Sequence, residues 1–157
     1  MKKSINLEKD IIDFIELCNK HSMKYLVIGG YAVSVHGYPR STKDIDVCIE
    51  MSDINASKMV HVIKDFGFGS LELTKDDFLK KHFITQLGFP PLRIDILNDL
   101  DGVSFEEAWN NKKIVSIEDV RVNFIGYNDL ITVKKKTGRP QDIADVDKLE
   151  KRNKKTK

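Results

Sequence analysis

Apolar residues follow two spacings along this chain, one typical of helices and one typical of strands. They recur every three or four positions in some segments and form short β-branched or alternating runs in others. The pattern predicts helices over about residues 6–21, 31–35, 53–66, 128–136 and 140–152, and a short one capped by Ser104. It predicts strands over residues 25–28, 44–49, 84–87, 92–97 and 120–125. Because helices and strands alternate without an internal repeat, we expect one domain of the α/β or α+β class.

The composition agrees with a single folded domain. The 157 residues are 41% hydrophobic and 32% charged, which supports a core and is unlike a disordered chain. From position 148 onward there are six basic residues and one acid, which leaves residues 1–147 with 20 basic and 23 acidic residues. A nucleic-acid footprint needs basic charge clustered on a folded face, so this distribution makes nucleic acid a weak expectation.

The cysteine count and the length of the apolar segments indicate the cellular compartment of the protein. Cys18 and Cys48 are too few for a disulfide framework, and the N-terminus lacks an apolar signal core. The longest mostly apolar stretch, Tyr25–Val35, has eleven residues, whereas a membrane span needs about 20. We therefore expect a soluble, cytoplasmic protein.

Two aspartates stand one residue apart in the second predicted strand. Side chains alternate between the faces of a strand, so Asp44 and Asp46 project together while Ile45 packs on the other face. Asp95 lies between two isoleucines of a later strand. Like charges repel unless a cation lies between them, and Mg²⁺ prefers such oxygen ligands. If the strands are neighbours, the three carboxylates converge at one sheet edge; the alternative is that they are solvated surface charges.

A glycine pair upstream favours the metal-site interpretation. Gly29 and Gly30 follow a predicted strand and open a predicted helix. At such a turn the bare backbone can approach a ligand, and the N–H groups of a helix N-terminus favour phosphate. For the pair alone, a tight turn without a ligand is the alternative.

The same residues resemble the signature of a known family. An apolar strand, two glycines, a short helix and a pair of aspartates are typical of the DNA polymerase beta-like nucleotidyltransferase superfamily. More narrowly, the segments GGYAVSVHGYPRSTKDIDV, RIDIL, FEEAW and DLITVKKKTGRPQDIADVDKL resemble small bacterial and archaeal nucleotidyltransferases, both minimal enzymes and those related to AbiEii toxins. The resemblance covers about residues 24–150.

The resemblance also implies an architecture. It predicts a nucleotidyltransferase domain over residues 1–150, with a mixed central sheet flanked by helices. The C-terminal helices would close over the site. Residues 151–157 would form a basic, disordered tail.

The activity that the resemblance implies is transfer of a nucleoside monophosphate from a nucleoside triphosphate to a hydroxyl acceptor (a small molecule, RNA or a protein), with release of pyrophosphate. Asp44 and Asp46 would bind the metal ion that holds the triphosphate, and Asp95 would join them around a second ion and help deprotonate the acceptor. Two Mg²⁺ or Mn²⁺ ions suit this chemistry because they stabilise both the attacking and the leaving oxygen. Gly29 and Gly30 would line the triphosphate.

Three further residues are candidate nucleotide ligands. Arg40 and Thr42 lie on the loop that enters the aspartate strand, where they either reach phosphate or belong to an exposed loop. The family pattern favours a lysine at Lys134, although its neighbours Lys135 and Lys136 indicate a solvated helix face.

Four other charged residues suit supporting roles. Arg93 shares a strand face with Asp95 and could steady a carboxylate or contact substrate. Arg139, Asp142 and Asp145 match the C-terminal motif of the family. Helical spacing places the two aspartates on one face, where Arg139 could pair with either.

A second class of function stays open. At 157 residues the chain has little room for an acceptor-binding domain. The fold could therefore be a non-catalytic nucleotide- or protein-binding module of a toxin–antitoxin-like pair, or the acceptor pocket could need a second subunit, as in a homodimer. An RNA contact through the basic tail is a weaker alternative.

Overall fold

The computed structural model describes residues 8–39, 44–89 and 92–155. Its helices are α1 (Lys9–Lys20), α2 (Gly29–Val35), α3 (Asp53–Ile63), α4 (Phe105–Asn110), α5 (Tyr127–Thr137) and α6 (Pro140–Lys155). Its strands are β1 (Tyr25–Ile28), β2 (Asp44–Ile49), β3 (Ile84–Phe89), β4 (Leu92–Leu97), β5 (Lys113–Ile117) and β6 (Val120–Phe124). The strands form one mixed sheet in the order β3-β4-β2-β1-β6-β5, so the predicted α/β class with a mixed, helix-flanked sheet is confirmed.

The strand pairings bring the candidate aspartates together. β2 runs parallel to β4, which places Asp46 directly beside Asp95. β1 runs antiparallel to β2, so the end of β1 lies opposite the start of β2 and Ile28 is the partner of Asp46. The expectation that the two aspartate strands are neighbours is therefore confirmed.

The other face of β2 and β4 anchors these strands in the core. Ile45, Val47 and Ile96 are at most 1% exposed, as the alternation of the strands requires. Fully burying one such side chain stabilises the fold by about 1.5–3 kcal/mol. The polar face is thus held in a fixed position by the apolar residues between the charges.

Helix α1 supplies much of the opposing layer. Ile11, Phe14, Ile15 and Cys18 lie on one stripe of α1 and are at most 1% exposed. The helix contacts β6 and α3. Its buried stripe matches the periodicity in the sequence.

Serine caps begin two of the helices. The Ser104 hydroxyl accepts a hydrogen bond from the Glu107 N–H at 3.1 Å, so the predicted start of α4 is confirmed. Ser52 caps α3 in the same way, accepting from the Asn55 N–H at 3.2 Å. Each cap satisfies an N–H group that has no partner within the helix.

Two elements differ from the pattern inside the domain. Strand β5 is not predicted, because it lies at the sheet edge and Ile117 is its one buried residue. Helix α5 begins at Tyr127, one residue before the predicted start, with Gly126 as its N-cap and no side-chain cap. A side chain at Gly126 would overlap the carbonyl of Asn111, so close packing rather than capping chemistry fixes this start.

The C-terminal helix corrects the expected tail. Helix α6 continues to Lys155, so residues 151–155 are helical and the disordered tail predicted for them is wrong. Lys151 pairs with Asp147 one turn earlier at 3.1 Å, and basic side chains interact favourably with a helix C-terminus. Residues 156 and 157 lie outside the described residues. None of the helices in the described part of the chain has the length and apolar character that a membrane span requires.

Candidate active site

Four charged side chains form two rows on one face of the sheet. Asp44 and Asp46 alternate along β2, and Arg93 and Asp95 alternate along β4. The parallel register pairs Asp44 with Arg93 and Asp46 with Asp95. Three acids and one base therefore occupy the corners of a small square, which we call the carboxylate square.

Arg93 neutralises the two corners next to its own. Its guanidinium donates to Asp95 from Nε at 2.9 Å and from Nη2 at 3.1 Å, and Nη2 lies 3.0 Å from Asp44 Oδ2. The expectation that Arg93 could steady a carboxylate is confirmed. Asp46 is at the diagonal corner, and no described side chain forms an ion pair or a hydrogen bond with it.

The surroundings of Asp46 disfavour the ionised form of its carboxyl group. Burial raises the pKa of the Asp46 carboxyl to about 6, and the charges of Asp95 and Asp44 add to the effect. More distant positive charges on Lys134 and Arg139 act in the opposite direction. A cation placed against Asp46 would relieve both burial and repulsion.

Gly29 brings the main chain against this carboxylate. Its φ is +69°, a left-handed conformation that side chains rarely adopt, and an added Cβ would overlap Asp46 Oδ2. The residue opens α2 directly after β1. Gly30, by contrast, is buried in α2 and does not line the cavity beside Asp46.

A cavity of about 310 Å³ opens on the square. Asp46 and Asp95 line it from the sheet, Gly29 lines it at the start of α2, and Lys134, Arg139 and Asp142 line it from α5, α6 and the turn between them. Its volume is at the lower end of small-molecule sites. The sheet side of the cavity is thus acidic, whereas the helix side carries two basic groups and the carboxylate that pairs with them.

Lys134 on the cavity wall belongs to a buried ion cluster. Lys134 is 5% exposed, and its Nζ lies 3.2 Å from Asp142 Oδ1 and 2.9 Å from Asp145 Oδ2. Asp142 also accepts a hydrogen bond from Arg139 Nε at 2.8 Å. Of the two partners expected for Arg139, Asp142 and Asp145, the structure thus shows Asp142. The solvated helix face predicted for Lys134 is wrong, although Lys135 beside it is exposed.

The donor set of the square suits a hard divalent cation. All three acidic corners offer carboxylate oxygens, which are preferred by Mg²⁺ and Mn²⁺. Among the described residues, however, no three His, Cys, Asp or Glu side chains are arranged to hold a metal ion in this structure. Asp44 and Asp95 instead contact the guanidinium of Arg93.

A comparison with family models identifies the family. The model described as nucleotidyltransferase of unknown function (DUF6036) matches residues 6–153. The chain belongs to this family. The predicted relation to small nucleotidyltransferases is therefore confirmed. No curated protein matches the chain.

Solved structures show the same fold in distant proteins. A candidate nucleotidyltransferase from Thermotoga maritima matches with a TM-score of 0.60 and 12% identity, over 90% of each chain. The lincosamide antibiotic adenylyltransferase LnuA, bound to lincomycin, matches with a TM-score of 0.56 and 16% identity, over 94% of this chain and 98% of that one. ANT(2'')-Ia, in complex with adenylyl-2''-tobramycin, matches with a TM-score of 0.54 and 11% identity, over 88% and 84%.

The structure of the DUF6036 protein gathers most of the predicted site residues. Asp46, Asp95, Gly29 and Lys134 line one cavity, and Asp44 belongs to the adjoining square. The predicted phosphate ligands Arg40 and Thr42 lie outside the described residues.

Sequence reasoning missed other lining residues of this nucleotidyltransferase. Gln86 is the β3 partner of Asp95, and Asp99 and Asp101 follow β4 into the cavity wall. Strand alternation places Gln86 on the same face as its partner, so a β3–β4 hairpin register was the signal that could have found it.

Proposed function

We propose that this DUF6036 protein is a metal-dependent nucleotidyltransferase that moves a nucleoside monophosphate from a nucleoside triphosphate to a hydroxyl acceptor. The observation that carries the proposal is the pairing of Asp46 with Asp95 beside Gly29, with Asp46 lacking a described counter-ion. This arrangement supplies oxygen ligands and an approachable backbone at the mouth of a cavity. Membership of a nucleotidyltransferase family supports the same reaction class.

The reaction assigns a role to each wall of the cavity. Asp44, Asp46 and Asp95 would hold the divalent ions, which supply charge stabilisation for an in-line displacement. The acceptor oxygen bonds to the α-phosphorus, and the bond from that phosphorus to the oxygen bridging to the β-phosphate breaks, releasing pyrophosphate. Asp95 receives the proton of the acceptor hydroxyl. Lys134 and Arg139, which line the cavity opposite the carboxylates and pair with Asp142, would contact the polyphosphate.

A small-molecule acceptor is the first class to test. The lincosamide adenylyltransferase LnuA, whose structure contains lincomycin, is matched over 98% of its length. A chain of this size therefore accommodates such an acceptor in one relative. Small hydroxylated antibiotics are therefore tested before RNA or protein acceptors, and first without an added partner protein.

The test measures transfer and stability together. Purified protein is incubated with α-labelled nucleoside triphosphates, Mg²⁺ or Mn²⁺ and a panel of acceptors that includes lincomycin, tobramycin, RNA and proteins. We expect Asp46→Asn to lower transfer by roughly a hundredfold or more. Its melting temperature should not fall, because the change removes a half-buried charge from beside two like charges.

Asp147→Asn is the matched control. It makes the same chemical change at an exposed carboxylate on α6 that pairs with Lys151. This control should retain transfer. Equal activity of Asp46→Asn and wild type, or no transfer with any acceptor together with no metal-dependent nucleotide binding, would contradict the proposed function.

A further inference from the structure

The carboxylate square contains its own cation. Both oxygens of Asp95 accept hydrogen bonds from Arg93, and the same guanidinium contacts Asp44. Planar guanidinium groups bind carboxylates in this forked manner more strongly than a single hydrogen bond would. Arg93 therefore occupies two of the three acidic corners.

These contacts conflict with the binding of a divalent ion. A metal ion ligated by Asp44 and Asp95 would approach oxygens that now accept from Arg93. Its charge would also repel the guanidinium across a partly buried site, where charges interact more strongly than in water. A carboxylate can accept from a guanidinium and ligate a metal ion together, but the repulsion between the two cations weakens the contact of each.

The Arg93 side chain is partly exposed. It is 27% exposed, compared with 15% for Asp95 and 35% for Asp44, so the ion-paired group is in contact with solvent. The backbone of β4 is fixed by pairing with β2 and β3, so a metal ion that displaces the guanidinium would do so through a change of side-chain rotamer.

We infer that Arg93 is a resident counter-ion of the carboxylate square and that it competes with the divalent metal ion for Asp44 and Asp95. The inference rests on the proposed function, because it takes the square to be the metal site. Arg93 is a positioning residue in this account. It holds the carboxylates together without metal and lowers metal affinity by the free energy of its own contacts.

The direct test is Mn²⁺ binding, measured by titration calorimetry without nucleotide. Arg93→Gln removes the competing charge, so it should bind Mn²⁺ roughly tenfold more tightly than wild type, within the usual range of coupling between two sites. Arg93→Lys keeps the positive charge but cannot form the two parallel hydrogen bonds to Asp95. Its Mn²⁺ affinity should therefore lie between those of wild type and Arg93→Gln. A structural role for Arg93 predicts the opposite, because loss of the residue that orients Asp95 would weaken Mn²⁺ binding.

Arg121→Gln controls for the loss of one positive charge. Arg121 is exposed on β6 and is not among the residues lining the cavity. It should leave Mn²⁺ affinity nearly unchanged. A second readout is thermal unfolding. Without metal, Arg93→Gln should melt below wild type, and Mn²⁺ should raise its melting temperature by more than it raises that of wild type.

The outcomes separate this inference from the proposed function. Wild-type protein that binds Mn²⁺ and transfers nucleotide, with Arg93→Gln binding no more tightly, would overturn the inference alone. Absence of Mn²⁺ binding in wild type and both Arg93 variants would overturn the inference, whereas the proposed function is overturned only when transfer and metal-dependent nucleotide binding are both absent. If Arg93→Gln does not fold, an Arg93→Lys affinity equal to or weaker than that of wild type overturns the inference.

Discussion

The negative charge of Asp46 is unfavourable for the stability of the fold. Burial and two neighbouring carboxylates raise its pKa to about 6 from an ordinary value of 3.8. An apolar or neutral side chain at this corner would serve stability better. Carboxylates in such positions concentrate at functional sites, where a ligand or cation compensates the cost. The proposed metal-binding role would account for the position of Asp46, which the stability of the fold does not.

Gly29 gives a prediction at the same scale. Gly29→Ala places a methyl group against Asp46 Oδ2 at a backbone φ of +69°. Strain of this kind costs about 1–3 kcal/mol, so chemical denaturation should give a lower free energy of unfolding. Transfer activity should fall as well, because the methyl group displaces a carboxylate of the site.

Gly69→Ala is the control for Gly29→Ala. Gly69 has a φ of −59°, and an added Cβ would make ordinary contacts with Lys64. Replacing glycine by alanine at a compatible position leaves stability unchanged or slightly raised. Equal stability of the two alanine variants would show that Gly29 is not required by its backbone conformation.

Among elements, the buried ion cluster joins α5 to α6 and orients both over the cavity. Lys134 of α5 reaches Asp142 and Asp145 of α6, and Thr137 adds a hydrogen bond to Asp142 at 2.8 Å. Buried charges are costly unless their partners are in place. The helix pair therefore keeps one relative position, and Lys134 keeps one place on the cavity wall.

The cluster predicts a pH dependence of stability. Burial alone would raise the pKa of Asp142, but hydrogen bonds from Arg139, Thr137 and Lys134 outweigh it and hold the pKa at about 2. A lowered pKa stabilises the fold above the unfolded value near 4, and this contribution is lost as the pH falls from about 4 to 2. Asp142→Asn should therefore be destabilised by roughly 2–3 kcal/mol at pH 7, and the difference should narrow below pH 4.

Unfolding in guanidinium chloride at pH 7, 4 and 3 measures this difference. Asp147→Asn is again the control, because its exposed pair with Lys151 contributes little at any pH. A stability gap between Asp142→Asn and wild type that stays constant down to pH 3 would contradict the assignment.

Local patterns predict the central strands because burial of a strand face requires apolar residues there, and this requirement is visible in the sequence of that strand alone. Strands β1 and β2 have the predicted bounds, since each combines a buried run with a clear turn. The burial of Lys134 could not be predicted, because Lys135 and Lys136 carry the same charge and the distinguishing partners lie on another helix. Strand β5 gives no signal for a similar reason: its pairing with β6, not its own burial, makes it a strand.

At the scale of the whole molecule, the cavity lies between two layers. The sheet contributes Asp46 and Asp95, the start of α2 contributes Gly29, and Lys134 and Arg139 come from α5 and from the turn before α6. A polyphosphate with its metal ions would contact both layers at once. Its binding free energy is then added to the stability of the entire domain.

This geometry predicts ligand-dependent melting. A non-hydrolysable ATP analogue with Mn²⁺, at about 100 times its Kd, should stabilise the native protein by about 2.7 kcal/mol. For a domain of this size, that corresponds to an increase in melting temperature of roughly 5–10 °C by differential scanning calorimetry. Asp46→Asn should lose most of this increase, whereas Asp147→Asn should keep it. The analogue without metal should stabilise wild type much less, since the carboxylates then repel the triphosphate. An equal increase in Asp46→Asn and wild type would mean that the nucleotide binds away from the carboxylate square.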